Sequence, residues 1–382
     1  MPTPLLSAEL LREALAALAE HGDNVSAAAR SLDMNRCTFQ GRLRRARAEG
    51  LHLSDGIQAS LSAAKLSATE ARAGWIVDVD PDTGSRKSTY WRAPEIAPAD
   101  IAEEIRAAFE GMEPAPPIEA PAQTMADLCT VYPLMDVHFG MHAWGKETGG
   151  DDYDLSLAAS DMRHAFAKVQ AITPNSAEAI LIVGGDFFHA DDNRSETPAH
   201  RHKLDVDSRH WKVLQSGIAL LGGVIARLVE KHDRLQVRVL RGNHDEHAHM
   251  VLTFALAERY RDQDRVTVDQ APFDLFMRQW GRCLIAAHHG DKIKPQQLTL
   301  YLSDVCEFWS ATRHRICLTG HVHHDAVKDI GPMRWESLRA FCPPDAYAAS
   351  MGYGARRALQ SLTFDKTDGL VLRAMDPIER PT

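Results

Sequence analysis

The sequence predicts an α/β protein with a small all-α domain at its N-terminus. Three observations carry that expectation. From about residue 127 to 378, short apolar runs alternate with segments of helical period, the pattern of sheets covered by helices. Residues 5–50 show helical period only. Between them a stretch rich in Pro, Ala and Gly, GMEPAPPIEAPAQT, reads as an extended linker and sets a boundary near residue 125. The expected division is therefore 1–50, 51–125 and 126–382.

Bulk properties narrow the class. The chain has 382 residues, 45% hydrophobic and 25% charged, which is ordinary for a globular protein. A net charge of -9 means that any nucleic-acid contact must come from a local patch. The six cysteines form no CxxC pair, which fits a reducing cytoplasm. Glu9, Arg12, Glu13 and Glu20 break the first apolar stretch at helical spacing, so it is not a signal peptide. No apolar run approaches the roughly 20 residues of a membrane span, and no membrane partner is expected.

In the first region, Leu10, Leu11, Leu15, Leu18 and Ala19 mark one amphipathic helix. Val25–Leu32 is a second, short helix, and residues 33–35 form a tight turn. Arg36–Ala48 is a third helix with Phe39, Leu43 and Ala46 facing inward. Two short helices joined by a short turn make a helix-turn-helix pattern. The third helix carries Arg36, Arg42, Arg44, Arg45 and Arg47; with Thr38 and Gln40 these groups suit phosphates and base edges. The plain alternative is a basic solvated helix in a small bundle.

Residues 51–125 say least. A β-hairpin around Asp82–Gly84 and a helix over 99–110 are expected there.

In the third region strands are read at 128–135, 179–185, 235–242, 283–289, 316–321 and 369–375, and helices at 155–171, 210–232, 247–262 and 296–314. Five of these strands end on metal-ligating residue types. The ends are Asp136 with His138, Asp186, Asn243 with His244 and Asp245, His288 with His289, and His321 with His323. Ligands gather at the carboxyl ends of strands in α/β folds, so the five ends can converge. Carboxylates, imidazoles and one amide oxygen suit Mn²⁺, Fe²⁺, Zn²⁺ or similar ions. No cysteine stands in any of the five clusters, so a thiolate zinc site is not expected. Two ions about 3.5–4 Å apart can clamp a phosphate for in-line attack. Asp186 is the natural bridge between them, because two preceding glycines leave both its oxygens free. His288 and His289 point to opposite faces of a strand; His289, directly before Gly290, is the chosen ligand.

In order, the blocks DVH, GD, GNHD, HHGD and GHVH resemble the calcineurin-like metallophosphoesterase family, over roughly 190 residues. The resemblance implies a four-layer α/β/β/α sandwich and two divalent metal ions, manganese first, with Fe, Zn, Ni or Mg as alternatives. It implies Asp136, His138, Asp186 and His323 around one ion, and Asp186, Asn243, His289 and His321 around the other. His244 would stand beside the phosphate with Asp245 orienting it. The GDFFH block, with His189 three residues after Asp186, resembles SbcD-type nucleases, where this histidine faces the scissile phosphate. A capping domain does not fit in the fewer than 60 residues after His324, so an ATPase partner of the SbcD kind is not expected. The first region resembles a Fis-type helix-turn-helix, a combination similar to phage or prophage proteins. DNA is the expected partner, and a homodimer is expected because such modules act in pairs on two half-sites. Phosphodiester hydrolysis in DNA leads. A phosphatase or small-molecule phosphodiesterase, and a DNA-binding regulator with a silent domain, stay open.

Overall fold

A computed structural model describes residues 7–22, 24–48, 51, 73–79, 86–92, 113–354 and 356–379. The chain divides into two compact units, 1–100 and 101–382.

In the first unit three helices pack on one another: α1 (Ala8–Glu20), α2 (Val25–Ser31) and α3 (Arg36–Ala48). Ser7, Asn24 and Asn35 cap them by accepting a backbone N–H three residues on. Their shared core is Ala14, Ala17, Leu18, Ala28, Ala29, Phe39 and Leu43. The expected inward face of α1 shifts: Leu11, Ala14, Ala17 and Leu18 are buried, while Leu10 and Ala19 are exposed. Small alanines let α2 approach its neighbours, so the apolar stripe follows them rather than the leucines. Strands β1 (Ala73–Val79) and β2 (Arg86–Arg92) pair antiparallel, Ala73 opposite Arg92. The turn expected at 82–84 and the helix expected at 99–110 lie outside the described residues.

In the second unit one sheet holds β3 (Met125–Leu134), β4 (Ser176–Val183), β5 (Arg234–Val239), β6 (Val266–Asp269), β12 (Leu359–Asp365) and β13 (Gly369–Asp376), in the order β13-β12-β3-β4-β5-β6. From β3 to β6 every pair is parallel. The second sheet holds β7 (Phe276–Trp280), β8 (Cys283–Ala287), β9 (His314–Thr319), β10 (Ala326–Ile330) and β11 (Met333–Ser337), in the order β10-β11-β9-β8-β7. Helices α4 (Gly145–Thr148), α5 (Leu155–Ile172), α6 (His210–Lys231), α7 (Ala248–Arg259), α8 (Pro295–Val305) and α9 (Ala346–Ser350) complete the described elements.

Strand alternation builds the layers. Ile180 and Ile182 on β4 face a seam shared with Phe276, Ile285, Ile316 and Leu318 of the second sheet. Leu181 and Val183 face the other way, against Phe166 of α5, Ile225 of α6 and Leu256 of α7. On the far side, Leu284 and Cys317 meet Leu298 and Leu302 of α8. The result is helix, sheet, sheet, helix.

Two expectations are corrected. The helix read over 296–314 ends at Val305. Beyond it the Arg315 guanidinium lies 4.5 Å from the Trp309 ring and donates to the Trp309 and Thr312 carbonyls, which closes a turn. α6 is also long and apolar enough, by length and composition alone, to cross a membrane. Its apolarity has another use here, since Leu221, Ile225, Leu228 and Val229 pack in the core. The Pro/Ala-rich stretch, from residue 113 on, lies against this unit. Ala115 is buried, its N–H donates to Arg259 O at 2.8 Å, and Arg265 donates to Ile118 O at 2.9 Å.

One buried cation ties the loops behind β3 and β11 together. Arg357 donates to Asp161 (2.7 Å), Asp151 (3.0 Å) and Phe341 O (2.8 Å). Arg357→Ala takes the guanidinium from the buried Asp161 carboxylate and is expected to cost about 3–5 kcal/mol. A urea titration checks this, and an unchanged midpoint refutes it.

Candidate metal centre

Each of five strands releases its donors into one space at its carboxyl end: β3, β4 and β5 of one sheet, β8 and β9 of the other. The backbone there is unusual. Asp136, His138, Asp186, His321 and His323 all have positive φ, between 47° and 66°. Non-glycine residues rarely adopt this left-handed region, and such strain concentrates at functional sites. It turns each side chain sharply out of its strand.

Donor atoms crowd together. His138 Nε2 and His323 Nε2 are 3.3 Å apart, and His323 Nε2 is 3.7 Å from Asp136 Oδ1. Asp186 Oδ2 is 3.9 Å from His138 Nε2 and 3.3 Å from His289 Nε2. His289 Nε2 is 3.1 Å from Asn243 Oδ1. Ligand atoms of Asp186, His289 and His321 lie within 4.8 Å of one another, as do those of Asp136, His138 and Asp186. Two nitrogens on one ion at about 2.1 Å stand roughly 3.0–3.4 Å apart. The donor set therefore fits two hard or borderline cations with Asp186 between them. Of the two adjacent histidines, His289 turns into this space, while His288 accepts the Gly290 N–H.

The tautomers fit as well. His289 Nδ1–H donates to Gly184 O at 3.0 Å, so Nε2 is the nitrogen turned to Asp186 and Asn243, where a metal ion would replace its proton. Burial keeps His138, His321 and His323 neutral, as a ligand must be. His323 is lowered to about 4 and His138 well below its ordinary value, in both cases first by burial. Burial raises Asp136 to about 7. Burial would also raise Asp186, but His289, His244 and His138 outweigh it and hold this carboxyl well below the usual range. Burial would lower His289, but Asp186 and Asp136 raise it to about 10. A proton on His289 thus does part of the work a cation would do.

Three sequence expectations change here. Asp186 does not keep both oxygens free, because Oδ1 accepts the His244 N–H at 2.8 Å and only Oδ2 faces the imidazoles. Asp245 does not orient the His244 ring. Its carboxylate accepts four backbone N–H groups, from Asp186, Phe187, Phe188 and Gly242, at 2.9–3.2 Å. It braces the loop after β4 against the loop after β5, because those amides would otherwise be buried without acceptors. The His244 ring is held by His189, whose carbonyl accepts from Nδ1 at 2.8 Å. His189 itself is buried rather than open to a phosphate. Its Nδ1 lies 3.1 Å from His138 Nδ1, its ring stacks on His244, and its Nε2 has no partner. A His138 that binds through Nε2 donates Nδ1–H to His189, so His189 has a positioning place.

Sequence reasoning missed two groups. Arg241 joins the loops after β5 and β8, donating to Glu246 and Asp291 at 3.1 Å each. Cys342 places its thiol within 4.8 Å of ligand atoms of both His138 and His323, against the expectation that no cysteine stands near the site. Neither residue belongs to a recognisable block.

On α3, Phe39, Leu43 and Ala46 are buried, and Thr38 is exposed. Arg36, Gln40, Arg42 and Arg45 are half-buried, Arg42 lying 3.8 Å from Glu13. The Arg44 side chain is outside the described residues.

Glycines let the ligand loops touch. A Cβ on Gly320 would fall 2.3 Å from Asp136 Oδ2, so no side chain fits there. Gly320→Ala must displace Asp136 and is expected to weaken divalent-ion binding by about 10–100-fold. Titration calorimetry with Mn²⁺ checks this beside a circular dichroism control, and unchanged affinity refutes it.

No family model and no curated protein matches the chain. Among solved structures it is similar to a predicted phosphoesterase from Streptococcus pneumoniae TIGR4, with 12% identity and a TM-score of 0.28, covering 65% of this chain and 97% of that one. It is also similar to wild-type Vps29 complexed with zinc from Entamoeba histolytica, at 11% identity and a TM-score of 0.28, covering 65% and 99%. A third is a novel archaeal phosphodiesterase, at 11% identity and a TM-score of 0.34, covering 65% and 98%. Likeness at this level carries no functional weight, which rests on the chain's own residues.

Proposed function

We propose that the second unit is a metal-dependent phosphoesterase that hydrolyses phosphodiester bonds in nucleic acid, and that α1–α3 address it to DNA. The observation that carries the first part is the convergence of seven donors from five strand ends, five of them on left-handed backbone. The order of the five blocks resembles the calcineurin-like family, which points the same way. Asp136, His138, Asp186 and His323 would hold one divalent ion, and Asp186, Asn243, His289 and His321 the other. Manganese is the first candidate. Bound there, the ions supply a clamp on the phosphoryl charge and a nucleophile at neutral pH.

The chain's own groups do the rest. His244 Nδ1–H is committed to His189 O, so Nε2 is the edge open to the phosphate, and it is the imidazolium form that hands its Nε2 proton to the leaving oxygen and ends as the Nδ1–H tautomer. His138 and His189 pack edge-on and stacked against that ring and hold its plane. Asp245 keeps the two loops that carry Asp186 and His244 at fixed spacing.

Exposed aromatic rings favour a polymeric, unpaired substrate over a small phosphate ester. Trp144 follows His138 on one loop; Tyr347 on α9 and Tyr353 just after it follow Cys342. His202, on the loop after β4, has its ring 6.2 Å from that of Tyr347. Bases stack on such surfaces without sequence preference.

End-labelled single- and double-stranded DNA with Mn²⁺ or EDTA tests the chemistry. Cleavage is expected to require the metal, to be faster on single strands, and to fall by at least about 10²–10³-fold in Asp186→Ala. Hydrolysis of bis-p-nitrophenyl phosphate alone would move the substrate to something smaller. No hydrolysis with any metal would leave a DNA-binding protein with a silent domain.

The address is tested separately. Arg44→Ala with Arg45→Ala is expected to weaken DNA binding and to make its salt dependence shallower by about two phosphate contacts, while bis-p-nitrophenyl phosphate hydrolysis stays unchanged. Unaltered binding would give the three helices a protein partner instead. Pairing of two copies on two half-sites belongs to the same proposal.

A further inference from the structure

The segment after β11 runs alongside two of the ligand segments and is bonded to them in turn. Phe341 N–H donates to Met135 O at 2.9 Å, Cys342 N–H to Asp136 O at 3.2 Å, and Ala340 N–H to His323 O at 3.4 Å. These bonds fix the Cys342 backbone against Asp136 on one side and His323 on the other. The Cys342 side chain is 4% exposed. Its Sγ lies within 4.8 Å of a ring nitrogen on each of His138 and His323, and the Nε2 atoms of those two rings are only 3.3 Å apart. Cys283, also buried, spends its thiol on the Asp365 carbonyl at 3.2 Å. Cys342 Sγ has no such acceptor among the described residues. Cys129 and Cys317 are buried without one too, but among the described residues only Cys342 groups with imidazoles that could share an ion.

We propose that Cys342 is a sulfur ligand of the ion held by Asp136, His138, Asp186 and His323. The inference rests on the two-ion reading of the site. Ligand arithmetic allows it. With Cys342 this ion has five donors, and a sulfur bonded at about 2.3 Å and a nitrogen at about 2.1 Å on a five-coordinate ion stand roughly 3.1–3.8 Å apart. A rotation about the single side-chain torsion of Cys342, or a shift of about 1–1.7 Å, closes the gap from the upper bound. The thiol proton passes to solvent as the ion binds, so the charge of the site falls by one with Cys342 engaged. A sulfur among nitrogen and oxygen donors makes this position softer than its neighbour. It favours zinc or cobalt over manganese and gives the two positions unequal metal preference.

Cobalt reports this directly, because thiolate coordination adds a near-ultraviolet charge-transfer band to the weak visible bands of Co²⁺ in a protein site. The full chain loaded with Co²⁺ is expected to show both, and Cys342→Ser to keep the visible bands while losing the ultraviolet one. The same variant is expected to bind Zn²⁺ about tenfold more weakly or worse, with Mn²⁺ affinity changed far less. Visible bands without the ultraviolet one in the unaltered protein would overturn the proposal and leave the two-ion site standing. No cobalt uptake by a protein that is folded by circular dichroism would overturn both. Cys342→Ala repeats the comparison in case the serine hydroxyl itself binds the ion.

Discussion

Two carboxylates, Asp136 and Asp186, are buried where the two sheets meet, and much of the second unit is arranged to make that tolerable. An uncompensated buried carboxylate costs several kcal/mol. Asp136 is offset by the His321 N–H, which reaches both its oxygens at about 3 Å. Asp186 is offset by the His244 N–H and by His289. Each carboxylate raises the other's cost, since their like charges repel. Imidazoles from four loops surround them, and a shared cation resolves the conflict better than any proton.

That demand explains the local backbone. Left-handed conformations at five ligand positions aim side chains inward two to four residues beyond the strand end. They persist because other parts over-determine them. Asp245 holds four amides at once, and Arg241 spans two of the loops. Glycine at 242 and 320 lets main chain pass where any Cβ would strike Asp186 or Asp136. Removing one support loads the others, so ligand geometry here is a property of the whole set of loops.

Much of this was legible in the sequence. Strands that end on Asp, His or Asn after glycine place those groups in one crevice by topology alone. The parallel β3–β6 run follows from strand and helix alternation. What stayed hidden depends on contacts made far along the chain. Asp245 sits inside a readable block, yet three of its four partners are backbone amides 57–59 residues away, and a carboxylate beside a histidine invites the simpler pairing. Cys342 has no motif, and it meets Asp136 through a bond across the seam. Strands β6, β7 and β10–β12 were too short or too polar on one face to announce themselves. Residues 51–112 gave little because no single period dominates them.

The pairing of β12 with β3 has a consequence for how the molecule comes into being. β3 carries Asp136 and His138 at its end, yet one of its edges is closed only by β12, with Leu362 opposite Val131. Its other neighbour, β4, leaves the ribosome much earlier. A nascent chain therefore exposes one flank of its first ligand strand for some 230 residues of synthesis, as the spacing of the Thr130–Thr363 pair shows. Such long-range closure is slow and leaves an open edge exposed to misassembly. The strand that carries Asp136 and His138 at its end gains its second flank only once residues 362–365 have been made.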